Sequence, residues 1–307
     1  MRVGITGGAG FIGSNLSKRL IDSKHEVIVL DNLSSGDLSN LDGLNLEFIH
    51  GDINDHLTTE RFVSNCDYII HLAAIGSVPK SIDDPVSSFS TNVLGTFNIL
   101  ESVRKHNLPL IFSSSSSVYG SNPNSPKKEL DWLSPISPYG ATKLSGEAMC
   151  LGYKNAFNLQ ILVFRFFNVF GPNQKPDHPY SAVIPKWALN ALKGEELVLY
   201  GDGTQVRDFT YVDTVTDIIE EAVSKNISSL TPINLALGNS MPLSELIPIF
   251  EDYFGDIKIK RLSSRPGDIS VSTSNPTYLR QLFKNIEVEP LNKSLLQTFE
   301  WIKKNYS

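Results

Sequence analysis

Gly7-Gly8-Ala9-Gly10-Phe11-Ile12-Gly13 is the stretch on which the fold turns. Its glycines are spaced G-x-x-G-x-x-G, after a short apolar run from Arg2 to Ile5 and before an amphipathic segment that reads as a helix over Asn15 to Ile21. Glycine at such places permits a tight turn, lets backbone approach an anion, and lets a helix pack closely on a strand. The helix N-terminus then offers free N–H groups and a positive dipole end. A second strand, Glu26 to Leu30, ends at Asp31.

Outward from this unit, strand-like runs recur at Leu46–His50, Tyr68–Leu72, Leu110–Ser113 and Ile161–Phe166. Helical patterns lie between them at about Leu57–Asn65, Val86–His106 and Tyr139–Lys154. Alternation of this kind predicts an α/β fold, a doubly wound parallel sheet with helices on both faces. From Gly171 the texture changes. Pro172, Pro176, Pro179 and Pro185 punctuate a loop-rich stretch, followed by a helix near Lys186–Lys193 and a strand at Leu197–Tyr200. The expected division is a dinucleotide-binding unit over residues 1–168, with a return segment near 207–238, and a smaller mixed α/β substrate unit over 169–307.

In such a frame Gly7, Gly10, Phe11, Ile12 and Gly13 form the pyrophosphate turn. A carboxylate at Asp31 can accept both ribose hydroxyls of adenosine and repels a 2′-phosphate, which favours NAD over NADP. Asp52, just after the next strand, could bond the adenine amino group.

Composition narrows the partners. The 307 residues carry a net charge of −6, so no basic field points to nucleic acid or an anionic membrane. An anionic ligand must be met by individually placed arginines. Two distant cysteines, Cys66 and Cys150, make no disulfide framework, and the six histidines form no H-x-x-x-H pair, so no metal is expected. The longest apolar run, Leu159 to Phe170, is broken by Arg165 and Asn168 and falls short of the ~18 residues of a membrane span. A turn motif beginning at Gly7 leaves no room for a signal peptide, so a cytoplasmic, reduced setting is expected.

Tyr139-Gly140-Ala141-Thr142-Lys143 places a phenol and an ammonium at i and i+4, on one helix face. A neighbouring cation favours phenolate, so the pair reads as a base toward a sugar hydroxyl. Five serines, Ser113–Ser117, stand at a strand end before Val118-Tyr119-Gly120, too ordered a setting for a linker.

Together these stretches resemble the extended short-chain dehydrogenase/reductases, and within them the UDP-sugar 4-epimerases. Further matching stretches are Asp31-Asn32-Leu33, His71-Leu72-Ala73-Ala74, Asn92 to Thr96, Arg165 to Pro172, Tyr200 to Val212 and Arg265-Pro266-Gly267-Asp268. They cover nearly the whole chain in the family's order. The resemblance implies a Rossmann-type fold, tightly held NAD, and a Ser115–Tyr139–Lys143 catalytic set, with Ser115 found by counting back from Val118. It adds Asn32, Ile53, Leu72, Ala73, Ala74 and Asn92 to the cofactor site.

On the substrate side it implies that Arg207 and Arg265 hold a UDP pyrophosphate, with Asn168 beside them. Ala182, Val183 and Tyr200 would wall the nucleoside, and Ser77, Ser116 and Asp268 would touch substrate. Ser272, seven residues after Arg265, stands where glucose-restricted relatives carry a bulky aromatic, and so would leave room for an N-acetyl group. The implied activity is a UDP-N-acetylglucosamine/UDP-glucose 4-epimerase, in a homodimer built on Val86–His106 and Tyr139–Lys154, with Val93, Phe97 and Leu100 on a buried face. Sugar-nucleotide 4,6-dehydratases carry an Asp-Glu pair after the catalytic Ser or Thr. Ser116-Ser117 stand there instead. A UDP-sugar dehydratase and a UDP-uronate epimerase or decarboxylase are the alternatives. A non-catalytic NAD-binding scaffold is a reading of another class, but such relatives lose the tyrosine or the lysine.

Overall fold

A computed structural model of the protein describes residues 1–177, 181–263 and 270–307. Seven parallel strands form its central sheet: β1 (Arg2–Thr6), β2 (Glu26–Asp31), β3 (Glu47–His50), β4 (Tyr68–His71), β5 (Leu110–Ser115), β6 (Ile161–Phe166) and, last in sequence, Ile233–Leu235. Val3, Ile5, Val29, Ile70 and Ile111 point into one buried layer, and Ile28, Leu30, Ile69, Leu110 and Phe112 into the other. Such alternation, apolar on both sides, is what a sheet covered on both faces requires.

Helices α1 (Phe11–Asp22), α2 (His56–Ser64), α3 (Val78–Asp83), α4 (Pro85–Phe89), α5 (Thr96–His106) and α6 (Pro138–Phe157) cross between the strands. The first helix starts earlier than its apolar pattern suggests, inside the glycine motif. Gly10 is extended and caps it with backbone alone, with no side-chain hydrogen bond. The long helix expected at Val86–His106 is α4 and α5 joined by a π-helical turn over Ser90–Gly95. Of the residues expected on a dimer face, Leu100 lies in the core of the single chain, Val93 is half-buried and Phe97 is exposed.

The sheet order runs Ile233–Leu235, β6, β5, β4, β1, β2, β3. The chain thus winds one way from β1 and the other way from β4. The strand ends diverge at the β1/β4 boundary, and a crevice opens there.

Beyond β6 lie β7 (Val169–Phe170), α7 (Val183–Leu192), β8 (Leu197–Tyr200), β9 (Val206–Asp208), β10 (Thr210–Tyr211) and α8 (Val212–Ser224). They are followed by β11 (the Ile233–Leu235 strand), β12 (Ser240–Pro242), α9 (Leu243–Phe254), β13 (Ile259–Leu262), β14 (Val271–Ser272), α10 (Thr277–Leu282) and α11 (Leu291–Tyr306). Helix α8 packs on α1 beneath the main sheet. A separate apolar cluster of Trp187, Leu199, Phe250 and Phe299 holds α7, α9 and α11 together with β8. Small sheets complete this part: β7 with β10, β8 with β13, and β12-β9-β14.

Candidate active site

A cleft of about 760 Å³ opens over the β1/β4 crevice. Its floor is the glycine turn. Gly7 has φ +73°, and a Cβ there would come 2.8 Å from the Ala73 Cα. A Cβ on Gly13 would lie 2.3 Å from the Gly7 carbonyl oxygen. No side chain fits in this cradle. The first N–H groups of α1 have no intrahelical partner and no side-chain cap, so they are open to an anion. A dinucleotide pyrophosphate fits this surface. Phe11, Ile12, Asn32, Ile53, Leu72, Ala73 and Ala74 line the same cleft.

Asp31 ends β2 and lines the cleft. One of its oxygens accepts from Ala9 N–H at 3.0 Å and the other from Leu33 N–H at 2.8 Å. Each oxygen keeps a lone pair for a ribose hydroxyl. Asp52 and Asn92 do not line the cleft. Asp52 accepts from Asn32 Nδ2 at 2.9 Å and Asn54 N–H at 2.8 Å, so it shapes the turn that carries Asn32. Asn92 is buried behind the wall, where its amide bonds Ile75 N–H and C=O and the Thr142 hydroxyl.

At the other end Ser115, Tyr139 and Lys143 come together, with Ser116, Ser117 and Ser77 on the same wall. Helix α6 starts one residue before Tyr139 because Ser137 caps it, accepting from Gly140 N–H at 3.1 Å, and Pro138 occupies its first turn. The Ser115 hydroxyl stands beside the Tyr139 phenol, where it favours the phenolate, and accepts from Ser117 N–H at 3.1 Å. Lys143 is buried and donates from Nζ to the Ser113 carbonyl at 2.8 Å. Burial lowers its ammonium to about 8. The lowered phenol expected at Tyr139 is not found in the protein alone. Burial raises it, the Ser115 hydrogen bond opposes that rise, and the ammonium is turned to Ser113.

Residues that the sequence reading passed over brace this end. His71 is fully buried, with Nδ1 2.6 Å from Thr6 Oγ1 and Nε2 3.0 Å from Thr96 Oγ1. The Thr96 hydroxyl donates to the Asn92 carbonyl, so it accepts from His71, and Nδ1 in turn accepts from Thr6. Burial lowers the imidazole to about 3, so it stays neutral. The only sequence signal was its place before Leu72-Ala73-Ala74.

A second cavity of about 420 Å³ shares Asn168, Val169, Ser181 and Ala182 with the first. Val183, Tyr200 and Arg207 line it, with Trp187, Asn190 and Phe209, which the sequence reading did not single out. Helix α7 begins here after Ala182, again without a side-chain cap. Asn168 holds φ +31° and donates to the Asp208 carbonyl at 3.1 Å. Arg265 and Asp268 lie outside the described residues. Ser272 lines neither cavity. It pairs in register with Arg207 across β9 and β14, because the strand after residue 270 joins that small sheet. Among the described residues lining both cavities, Asp31 is the single carboxylate. Among the described residues no helix is long and apolar enough to cross a membrane, and no His/Cys/Asp/Glu cluster is placed to hold a metal.

A dinucleotide cleft at the switch point of a doubly wound sheet, closed by a hydroxyl, a phenol and a buried lysine, defines a Rossmann-type dehydrogenase/reductase of the extended kind. The chain belongs to the NAD dependent epimerase/dehydratase family, whose family model matches residues 3–236, and NAD is its cofactor. It is 38% identical to the UDP-N-acetylglucosamine 4-epimerase of Methanobrevibacter ruminantium M1, solved with UDP-N-acetylmuramic acid, with a TM-score of 0.94 over 99% of this chain and 98% of that one. The UDP-glucose 4-epimerase of Thermotoga maritima, solved with UDP-glucose, is 32% identical, with a TM-score of 0.94 and 100% of both chains covered. A UDP-N-acetyl-alpha-D-glucosaminuronate decarboxylase of Bacillus cytotoxicus is 36% identical over 73% of this chain and 71% of its own.

Proposed function

We propose that the protein is a 4-epimerase of UDP-N-acetylglucosamine and UDP-glucose. The observation that carries this reading is the chemistry at the sugar end of the cleft. Ser115, Tyr139 and Lys143 converge there, and no described carboxylate accompanies them. Oxidation at C4 needs one base, for the proton of the 4-hydroxyl. Dehydration needs further acid–base groups, and Ser116-Ser117 occupy the place where the dehydratases carry them.

NAD, when bound, would supply hydride transfer at C4. Tyr139 would take the proton of the 4-hydroxyl, Ser115 would steady that hydroxyl, and Lys143 would hold the nicotinamide ribose and support the phenolate. Asn168, where the two cavities meet, and Arg207, in the second cavity, hold the diphosphate, and Trp187, Tyr200 and Phe209 wall the nucleoside. Holding UDP firmly and the sugar loosely lets the oxidised sugar turn and accept hydride on its other face. Residues 1–168, with the return near 207–238, serve the cofactor, and 169–307 mainly serve the substrate.

A second reading is favoured by Lys80, which lines the cleft near Ser77. A cation there suits a sugar carboxylate, hence a UDP-uronate epimerase or decarboxylase. Incubation with UDP-GlcNAc, UDP-glucose and UDP-glucuronate, followed by NMR, separates the readings. Interconversion of the first two sugars with their 4-epimers supports our reading. Carbon dioxide release, or turnover of the uronate alone, overturns it. We also propose a homodimer, through the exposed Val86, Phe89, Leu94 and Phe97 of the α4–α5 segment. A monomer at micromolar concentration in light scattering would dismiss it.

A further inference from the structure

Tyr139, Lys143 and Glu147 stand at i, i+4 and i+8 on α6, one face of one helix. They meet three consecutive serines at the end of β5. The Tyr139 phenol stands beside the Ser115 hydroxyl, Lys143 donates to the Ser113 carbonyl at 2.8 Å, and the Ser114 hydroxyl donates to Glu147 Oε2 at 2.7 Å. The first two contacts belong to the catalytic set. The third has no part in the chemistry so far.

Glu147 is held from behind. Arg165 Nη2 lies 2.5 Å from Oε1 and Nε 3.0 Å from Oε2, and both side chains are 3% exposed. The guanidinium also lies 4.9 Å over the Tyr119 ring and donates to the Tyr119 oxygen at 2.7 Å and the Glu129 carbonyl at 3.0 Å. Tyr119 donates in turn to Asn234 Oδ1 at 2.7 Å. Ser114, Arg165 and Asn234 are register partners across β5, β6 and β11, so they form one row on one face of the sheet.

A buried ion pair is a poor way to stabilise a core, since an apolar row of similar volume does as well or better. A fork between arginine and carboxylate instead fixes direction. Here the fork ends on the residue beside Ser115. We propose that Glu147, oriented by Arg165, is a positioning residue that sets the end of β5 through Ser114, so that Ser115 meets the Tyr139 phenol. The inference rests on the epimerase reading only for the reaction it serves.

The test is Ser114→Ala, which leaves the ion pair intact, with Ser114→Thr as the conservative rescue. Both are compared with wild type in the NAD-bound protein. Turnover is split into kcat and KM, and the Tyr139 phenol is titrated by tyrosinate ultraviolet absorbance, with Tyr139→Phe as the blank. One net hydrogen bond corresponds to about a fivefold effect, so kcat of Ser114→Ala should fall about fivefold to tenfold with KM and bound NAD unchanged. The phenol should titrate at higher pH, because a displaced Ser115 no longer favours the phenolate. Ser114→Thr should restore both.

Wild-type kcat and phenol titration in Ser114→Ala would overturn the proposal. So would losses of kcat, bound NAD and thermal stability together that Ser114→Thr does not restore. A displaced phenol titration in a protein that turns over no UDP-sugar supports the positioning role and overturns the epimerase reading instead.

Discussion

The two cavities meet at Asn168 yet are made of different material. The cofactor cleft is shaped by backbone: the Gly7 and Gly13 cradle, the uncapped start of α1, and the ends of β1, β4 and β5. The second cavity is shaped by side chains, with Trp187, Tyr200 and Phe209 as walls and Arg207 and Lys186 as its cations. Backbone surfaces tolerate no added atom. Side-chain surfaces can give way. A change in the first should act sharply, and a change in the second gradually.

The sharpest expected break is Tyr139→Phe. Among the described residues it removes the one phenol that lines this cleft, and turnover should fall roughly a hundred- to ten-thousandfold with NAD still bound. A rate near that of wild type, measured by NMR of the product sugar, would remove Tyr139 from the chemistry. Next comes Gly13→Ala. In an ordinary helix this change stabilises by about 1 kcal/mol. Here the new Cβ would meet the Gly7 carbonyl at 2.3 Å, so the sign should reverse, with bound NAD lost. Gly152→Ala is the control. It lies in α6 with nothing within 4 Å of its Cβ, and should stabilise. Bound NAD and thermal unfolding of the two variants give the comparison directly.

The same contrast explains what was legible in the sequence. The glycine turn could be read because only glycine fits a positive φ against neighbouring backbone. Tyr139 and Lys143 could be read because helix geometry fixes i and i+4. The first six strands of the main sheet fell close to their apolar runs, whereas Ile233–Leu235, which returns to it late in the chain, was not read as a strand. The start of α1 did not fall with its apolar pattern, since Gly10 caps it with backbone rather than a side chain. Trp187 and Phe209 could not be told from core, because a pocket wall and a core surface use the same residues. Glu147 was within reach, one helical step beyond Lys143. Its partners Ser114 and Arg165 come together only through strand register, which no local pattern carries.

Lys143 sharpens the comparison through pH. Burial holds its ammonium near 8, below the ordinary 10.5. Between those values the unfolded chain binds more protons than the folded one, so stability should rise with pH across that window. The penalty at neutral pH is at most about 3 kcal/mol, from a shift of this size at 1.36 kcal/mol per unit. Lys143→Met should therefore unfold at higher temperature than wild type at neutral pH, lose that advantage in alkali, and show no turnover. Equal unfolding temperatures at both pH values would place the ammonium in a better solvated site than its burial implies.

The smallest expected effect concerns Ser272, where sequence and structure point to different outcomes. A small residue there was expected to make room for an N-acetyl group at the sugar. In the fold it lies in register with Arg207 on β9, and register partners in a parallel pair share a face of the sheet. Arg207 lines the nucleotide cavity, away from Tyr139. A tyrosine at 272 would therefore crowd Arg207, which we propose meets the part common to every UDP-sugar. Overpacking of this kind costs ~1–3 kcal/mol in a closed core, and less at this half-buried strand. Ser272→Tyr should lower kcat/KM for UDP-GlcNAc and UDP-glucose by the same factor, mostly through KM. A loss confined to UDP-GlcNAc would mean that residue 272 reaches the sugar after all, and that the side-chain cavity discriminates as sharply as the backbone cleft.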